Sequence, residues 1–154
     1  MVIKFLNRIP KCISKDFPVL FKNHPSNSLY NKNSSHEDRC REIRNAKNVF
    51  MCFYDDDEVV GLVDMSFRDY VLYEGVPYYM LYIDRFEVRK DKYRRGYGKQ
   101  MFDYILTHYD IYNIELNHIV DDETSYRFWK SMGLKRYYAN NTYMYLNFYV
   151  KKLI

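Results

Sequence analysis

Phe86-Glu87-Val88-Arg89-Lys90-Asp91-Lys92-Tyr93-Arg94-Arg95-Gly96-Tyr97-Gly98-Lys99 is the stretch on which the reading of this chain turns. It reads as a strand ending at Val88, a basic loop, and a helix opening near Gly96. The first turn of a helix presents backbone N–H groups with no acceptor inside the helix, together with the positive end of the helix dipole. Such a start holds an anion without help from any side chain. Gly96 and Gly98 lack the Cβ atoms that would keep a phosphate away from those amides. Arg94, Arg95 and Lys99 add charge beside them, so the ligand best matched is a pyrophosphate. Two glycines among Lys and Arg are also what an ordinary solvated helix start contains, so the pattern alone does not decide. Two nucleotide patterns are excluded. GxxxxGK[ST] fails because Gln100 follows Gly98-Lys99, and GxGxxG fails because Met101 stands at the third position.

Working outward, Pro77 to Val88 is a long strand entered from a turn at Glu74-Gly75. Asn48 to Tyr54 and Glu58 to Phe67 form a hairpin about Asp55-Asp56-Asp57. A helix from Gly96 to about Tyr109 carries Met101, Ile105 and Leu106 at buried-face spacing. Tyr112 to Val120 is a strand, and Glu123 to Met132 is a helix stopped by Gly133. Leu134 to Tyr138 and Thr142 to Val150 make a last hairpin about Asn140-Asn141. Before all this come a strand at Val2 to Leu6, a short helix at Lys15 to Lys22, a loop at Pro25 to Ser35, and a helix from His36 to about Ala46 capped by Ser35. The order is mixed α/β, built on one central sheet.

The 154 residues favour one domain spanning 1–154. Hydrophobic residues at 47% support an ordinary core, and 18 Tyr with 10 Phe suit half-buried strands. A net charge of +4 permits an anionic ligand without demanding nucleic acid. Cys12, Cys40 and Cys52 form no CxxC pair and no disulfide framework. No His, Cys and carboxylate set has metal-ligand spacing, so no metal is expected. Lys4, Arg8, Lys11 and Lys15 interrupt the start, which is not a signal peptide. No apolar run reaches the ~18 residues of a membrane span, and a cytoplasmic location is expected.

A second segment sharpens the reading. The 86–99 stretch resembles the acetyl-CoA signature Q/R-x-x-G-x-G/A of the GCN5-related N-acetyltransferases, with Tyr93 where that family carries Gln or Arg. Asp122-Glu123-Thr124-Ser125-Tyr126-Arg127-Phe128-Trp129-Lys130-Ser131-Met132-Gly133-Leu134 is similar to the family's N-x-x-A-x-x-F-Y-x-x-x-G-F. Here Asp122 replaces the Asn that contacts pantetheine, and Trp129 replaces the Tyr that protonates the departing thiolate. Phe128 and Met132 read as a packed helix face. The resemblance implies a mixed, mostly antiparallel sheet whose two central parallel strands splay apart after a bulge in the fourth strand.

It also implies acetyl-CoA as acyl donor and an amine, in a small molecule or a protein, as acceptor. By the resemblance, Phe86 and Val88 would pair with pantetheine, and Tyr93, Arg94, Arg95, Gly96, Tyr97, Gly98 and Lys99 would hold the pyrophosphate. Asp122 and Trp129 would line the rest of the cofactor. Asp84 is the expected base: it lies four residues before Val88, where many family members carry Glu, and strand alternation places it with Phe86 and Val88. Asp64 is a second candidate base. Glu87 has the opposite parity and reads as a structural partner of Arg89 or Arg85. Indole is no acid near neutral pH, which leaves Tyr126, one turn before Trp129, as the stand-in donor. His118 reads as a structural histidine. Loss of the family Tyr motivates an alternative, an acyl-CoA-binding or protein-interaction module with weakened catalysis. A nucleic-acid role is not expected, because the Tyr residues fall mostly in strands and Asp55 to Asp57 and Asp121 to Glu123 would repel a polyanion. A homodimer is left open.

Overall fold

A computed structural model describes residues 2–5, 49–117, 123–137 and 143–147. The elements expected between Lys15 and Ala46, the turn at Asn140-Asn141, and Cys12, Cys40, His118 and Asp122 lie outside them. The described elements are β1 (Val2–Phe5), β2 (Val49–Asp55), β3 (Glu58–Tyr73), β4 (Val76–Val88), a 3-10 turn (Lys90–Lys92), α1 (Tyr97–His108), β5 (Ile111–Asn117), α2 (Glu123–Ser131), β6 (Lys135–Arg136) and β7 (Tyr143–Asn147). The strands hydrogen-bond in the order β1-β2-β3-β4-β5-β7-β6. β4 and β5 are parallel; β1 with β2, β2 with β3, β5 with β7 and β6 with β7 are antiparallel. This is the mixed, mostly antiparallel sheet that the motifs imply. The chain divides into two compact units, Met1–Met65 with Arg85–Met101, and Ser66–Asp84 with Phe102–Ile154.

In the first unit, β2 and β3 join through Asp56 and Asp57, whose φ angles of 47° and 63° match a two-residue hairpin turn. Their ladder slips between Phe53 and Tyr54, where Val60 is the extra residue. Phe50, Met51, Cys52, Phe53, Leu62, Val63 and Met65 are buried. Gly61 is set by close approach: a Cβ there would lie 2.2 Å from Met101 Sδ, so a side chain at this position would force the end of the Met101 side chain to move. Asp64 and Arg85 form a buried ion pair in this core, both nearly without solvent.

In the second unit, β4 and β5 pair from Tyr79↔Ile111 to Ile83↔Leu116, with a register shift between Tyr79 and Met80. The extra residue at that shift is Tyr112 of β5, whereas the resemblance implied a bulge in the fourth strand. Among the described residues the ladder is followed to Ile83, and β4 runs on to Val88. Leu81, Ile83, Phe102, Ile105, Ile114, Leu116, Trp129, Leu134 and Met144 form the core. The end of α2 is a Schellman cap: Gly133 N–H donates to the Lys130 carbonyl (3.0 Å) and Leu134 N–H to the Trp129 carbonyl (3.0 Å). Leu134 and Trp129, the two positions that such caps commonly bring together, are both buried. β3 and β4 turn at Glu74 and Gly75, again with positive φ at both (49° and 78°).

Candidate functional site

The basic loop sits in the first unit. β4 leads into it, and Arg89 N–H donates to the Val60 carbonyl at 2.8 Å, which carries the strand register one residue past Val88. The chain then tightens into the 3-10 turn, where Lys92 N–H meets the Arg89 carbonyl at 2.9 Å. Glu58, at the start of β3, gathers two of the loop cations: Lys92 Nζ at 3.4 Å and Arg89 Nη1 at 3.8 Å. Arg89 Nε also meets Asp91 at 2.9 Å. These pairs are solvent-facing and contribute little stability each. Their effect is to fix where the loop lies and to use part of its positive charge. Lys90, Arg94 and Arg95 remain exposed with no ion pair among the described residues.

At the helix start the backbone takes an uncommon course. Arg94 has φ +60° and Gly96 has φ +83°, the left-handed region that costs most side chains energy. Gln100 N–H closes the first helical bond on the Gly96 carbonyl at 3.1 Å, so the amides of Tyr97, Gly98 and Lys99 precede any acceptor within the helix. A Cβ built on Gly96 meets nothing within 4 Å. Glycine is thus demanded there by backbone conformation, and among the described residues none takes the room beside it. Tyr97 anchors the helix start, its phenol donating to Asp55 Oδ2 in the β2–β3 turn. That bond raises the Tyr97 pKa, burial and the Asp55 charge add to it, and Arg95 pulls the other way. The cradle is therefore tied at two points to one acidic turn, through Asp55 and Glu58.

β4 carries the candidate base. Leu81, Ile83, Arg85 and Glu87 are buried, whereas Tyr82, Asp84, Phe86 and Val88 are half-buried along the other side. The expected parity of Asp84 with Phe86 and Val88 is thus the observed one. In the second unit, Ser66 Oγ donates to Asp84 Oδ2 at 3.3 Å. The other candidate base, Asp64, is committed to Arg85. The carboxylate on Arg85 Nη1 is Asp64, one strand away, and Glu87 is buried on the same side of β4 as Arg85.

The second motif folds as α2 in the second unit. Trp129 is 5% exposed and packs edge-on against Phe102 (5.6 Å) and Phe128 (4.8 Å). The indole expected to line the cofactor is built into the core. Tyr126 lies under the Arg136 guanidinium, 3.4 Å from its ring centroid. The sequence reading missed Glu115. It is 7% exposed and accepts from the phenols of Tyr137 (2.9 Å) and Tyr143, and from Asn113 Nδ2 (3.2 Å). Burial first, and then these bonds, push Tyr137 up to about 12 and raise Tyr143 as well. A carboxylate in a strand otherwise rich in apolar residues was the available signal.

Residues 11–134 match the family model described as the acetyltransferase (GNAT) family. The chain belongs to the GNAT acetyltransferase family. This member's fold is similar to that of the AtaT toxin, solved as a point mutant bound to the C-terminus of the antitoxin AtaR and acetyl-CoA. The two share 12% identity over 95% of this chain and 92% of that one, with a TM-score of 0.62. It is also similar to a GNAT-family acetyltransferase from Staphylococcus aureus Mu50, at 14% identity over 95% and 99% of the two chains and a TM-score of 0.59. A point mutant of the BH1408 protein from Bacillus halodurans is similar at 14% identity over 90% and 95%, with a TM-score of 0.60. No functionally curated protein matches this GNAT chain. Acetyl-CoA is the acyl-donor cosubstrate of the family. The basic loop with its positive-φ glycine is chemically suited to the cofactor's pyrophosphate. No helix among the described residues is long and apolar enough to cross a membrane.

Proposed function

We propose that this GNAT chain transfers the acetyl group of acetyl-CoA to an amine by direct attack. The observation that carries the proposal is the start of α1: positive φ at Arg94 and Gly96, open space where the Gly96 side chain would be, and exposed Lys90, Arg94 and Arg95 alongside. The amides of Tyr97, Gly98 and Lys99 would receive the pyrophosphate, with Tyr93 flanking them. Phe86 and Val88, on the part of β4 beyond its described pairs with β5, would bond pantetheine as an added strand does. The amine nitrogen then attacks the thioester carbonyl carbon, the C–N bond forms, and the C–S bond breaks as the tetrahedral adduct collapses. Asp84, steadied by Ser66, would accept the proton the ammonium gives up before attack. A thiolate of pKa roughly 8.5 leaves, and it takes up the proton that the acylated nitrogen sheds, passed through water or the Tyr126 phenol.

Calorimetry with acetyl-CoA and with acetyl-pantetheine tests the assignment. Acetyl-CoA should bind more tightly, since only it carries the pyrophosphate. Equal affinities would remove the role given to the α1 start. Transfer is read in parallel, by release of free CoA in the presence of a panel of polyamines, aminoglycosides and lysine peptides. The acidic stretch at Asp55 to Asp57 is the reason for choosing cationic amines.

A second reading has one observation behind it. With indole at 129 buried in the core, α2 offers no phenol at the position where the family pattern has one. In that reading the chain binds acetyl-CoA and has weakened catalysis. Tight binding with no CoA release for any amine is its signature.

A further inference from the structure

Glu115 is a buried charge to which the transfer chemistry above gives no task. The carboxylate is 7% exposed on β5, and every group bonded to it is neutral. Oε1 accepts from the Tyr137 phenol (2.9 Å) and from Asn113 Nδ2 (3.2 Å), and Oε2 accepts from the Tyr143 phenol. No cation lies within ion-pair distance of it among the described residues. Buried carboxylates ordinarily have one. A carboxylate offers about four acceptor positions, so the three donors leave one of them on Oε2. Asn113 adds a second acceptor in want of a donor: its Oδ1 is buried and has no hydrogen-bond partner. Turning the amide over would set Oδ1 against Oε1 of Glu115, oxygen against oxygen, so the orphaned atom follows from the carboxylate beside it. Aromatic rings crowd the same spot, Tyr137 lying 5.0 Å from Tyr143 and 4.5 Å from Tyr145 between centroids. Ring faces attract cations. Tyr137 is 46% exposed while its hydroxyl reaches Glu115, so the carboxylate lies one side chain below the surface.

The place of Glu115 in the sheet gives this site its meaning. Tyr82 and Glu115 are side-by-side partners in the parallel ladder, so their side chains share a face of the sheet. Asn117 Nδ2 donates to the Tyr82 hydroxyl (2.7 Å) across that face. Asp84 is two residues beyond Tyr82 and so shares the face too. Two residues of rise and one strand spacing put the Cα atoms of Asp84 and Glu115 about 8 Å apart in a regular sheet. Arg68, a cation from β3, is engaged with the ring of Tyr82, 3.7 Å from its centroid, and forms no ion pair with Glu115. We propose that Glu115 and Asn113 form a subsite for the second ammonium group of an aliphatic diamine whose first amino group is the acetyl acceptor at Asp84. This rests on the transfer reading above and names the class of its acceptor. The distal ammonium supplies the donors that Oε2 of Glu115 and Oδ1 of Asn113 lack, and it neutralises the buried charge. The methylenes between the two amino groups span the distance from β4 to β5. A monoamine offers nothing to this subsite.

Isothermal titration of the full chain with putrescine and with butylamine, each with and without CoA, tests this. The two probes have the same carbon chain and differ by one amino group. Putrescine should bind at least about tenfold more tightly, the scale of one charge-assisted hydrogen bond. Glu115→Gln keeps the size and leaves an oxygen for the phenols, and it should bring the two amines to within about twofold of each other. Glu74→Gln removes the same charge at the β3–β4 turn and should leave the preference intact. Tyr137→Phe keeps the ring, removes the hydroxyl that competes for Oε1, and should tighten putrescine binding, a gain that a damaged fold cannot produce. Equal affinities of the wild type for the two amines overturn the proposal. So does a preference that survives Glu115→Gln, or a Tyr137→Phe variant weakened as much as Glu115→Gln. Release of CoA, followed in parallel, separates this from the transfer reading. Putrescine held through Glu115 but never acetylated keeps the subsite and removes the transfer. Both amines bound equally and acetylated equally keep the transfer and remove the subsite.

Discussion

Replacing Gly96 with valine separates what the α1 start does for the fold from what it does for acetyl-CoA. Gly96 has φ +83°, and its missing Cβ would meet nothing within 4 Å. The added Cβ therefore meets no described atom, and the fold cost expected of the substitution is backbone strain. An L-residue in the left-handed region costs about 1–2 kcal/mol, and a β-branched one lies at the upper end. Against a typical stability of about 5–15 kcal/mol the protein stays folded. For a chain of this length, that cost lowers Tm by roughly 2–8 °C. Gly75 supplies a matched control: φ is +78°, and again nothing lies within 4 Å of a built Cβ. It sits in the β3–β4 turn, away in sequence from the basic loop. Gly75→Val should show a comparable Tm loss and unchanged acetyl-CoA affinity. Gly96→Val should show the same Tm loss and at least a hundredfold weaker acetyl-CoA, about 2.7 kcal/mol by affinity arithmetic, because its side chain occupies the room proposed for the pyrophosphate. Isothermal titration of the three proteins gives the comparison. If Gly96→Val binds acetyl-CoA as tightly as Gly75→Val, the cradle is elsewhere.

Four further outcomes are expected. Asp84→Asn should lower turnover roughly 10²-fold at neutral pH with acetyl-CoA affinity unchanged, and the deficit should shrink as pH approaches the pKa of the free amine; a flat ratio across pH would remove Asp84 as base. Trp129→Tyr should lower stability by about 1–3 kcal/mol, since it buries a hydroxyl between Phe102 and Phe128, and should not speed transfer; a faster enzyme would put position 129 beside the thioester after all. Asp64→Ala should cost about 3–5 kcal/mol in urea unfolding by depriving buried Arg85 of its carboxylate, whereas Asp64→Leu/Arg85→Met should recover most of that. The Tyr137 and Tyr143 pKa values lie above the ordinary 10.0 of an unfolded tyrosine. The folded state therefore holds those protons more tightly, and its stability should be full below pH 10 and fall as pH rises toward about 12. Glu115→Gln should shrink this alkaline loss without abolishing it, because burial, the largest cause, remains; an unchanged slope would mean that the Glu115 bonds do not set these pKa values.

How far the sequence could be read depended on where each signal resides. Turns at Asp56-Asp57 and Glu74-Gly75, and the cap at Gly133, depend on the local backbone, so neighbouring residues suffice to find them. The alternation along β4 is local too, and it placed Asp84 with Phe86 and Val88. β3 was expected to end at Phe67, well short of Tyr73, because Arg68-Asp69-Tyr70-Val71-Leu72-Tyr73 has no apolar alternation. Neither of its faces is buried, so the strand is held by its hairpin partner and leaves no periodic mark. The pairings missed were the long-range ones. Arg85 finds Asp64 twenty-one residues away, and Glu115 finds Tyr143 twenty-eight residues away. Parity alone could have flagged the first: Arg85 falls on the buried side of β4, and a buried guanidinium requires a carboxylate on a neighbouring strand. That requirement removes Asp64 from the pool of bases and leaves Asp84, which accepts from the neutral hydroxyl of Ser66. A hydroxyl can donate to the carboxylate before the proton moves and turn aside once it has arrived. A guanidinium would hold the carboxylate ionised throughout. On that chemical ground Asp84, and not Asp64, is the base proposed here, and the pH dependence of Asp84→Asn decides it.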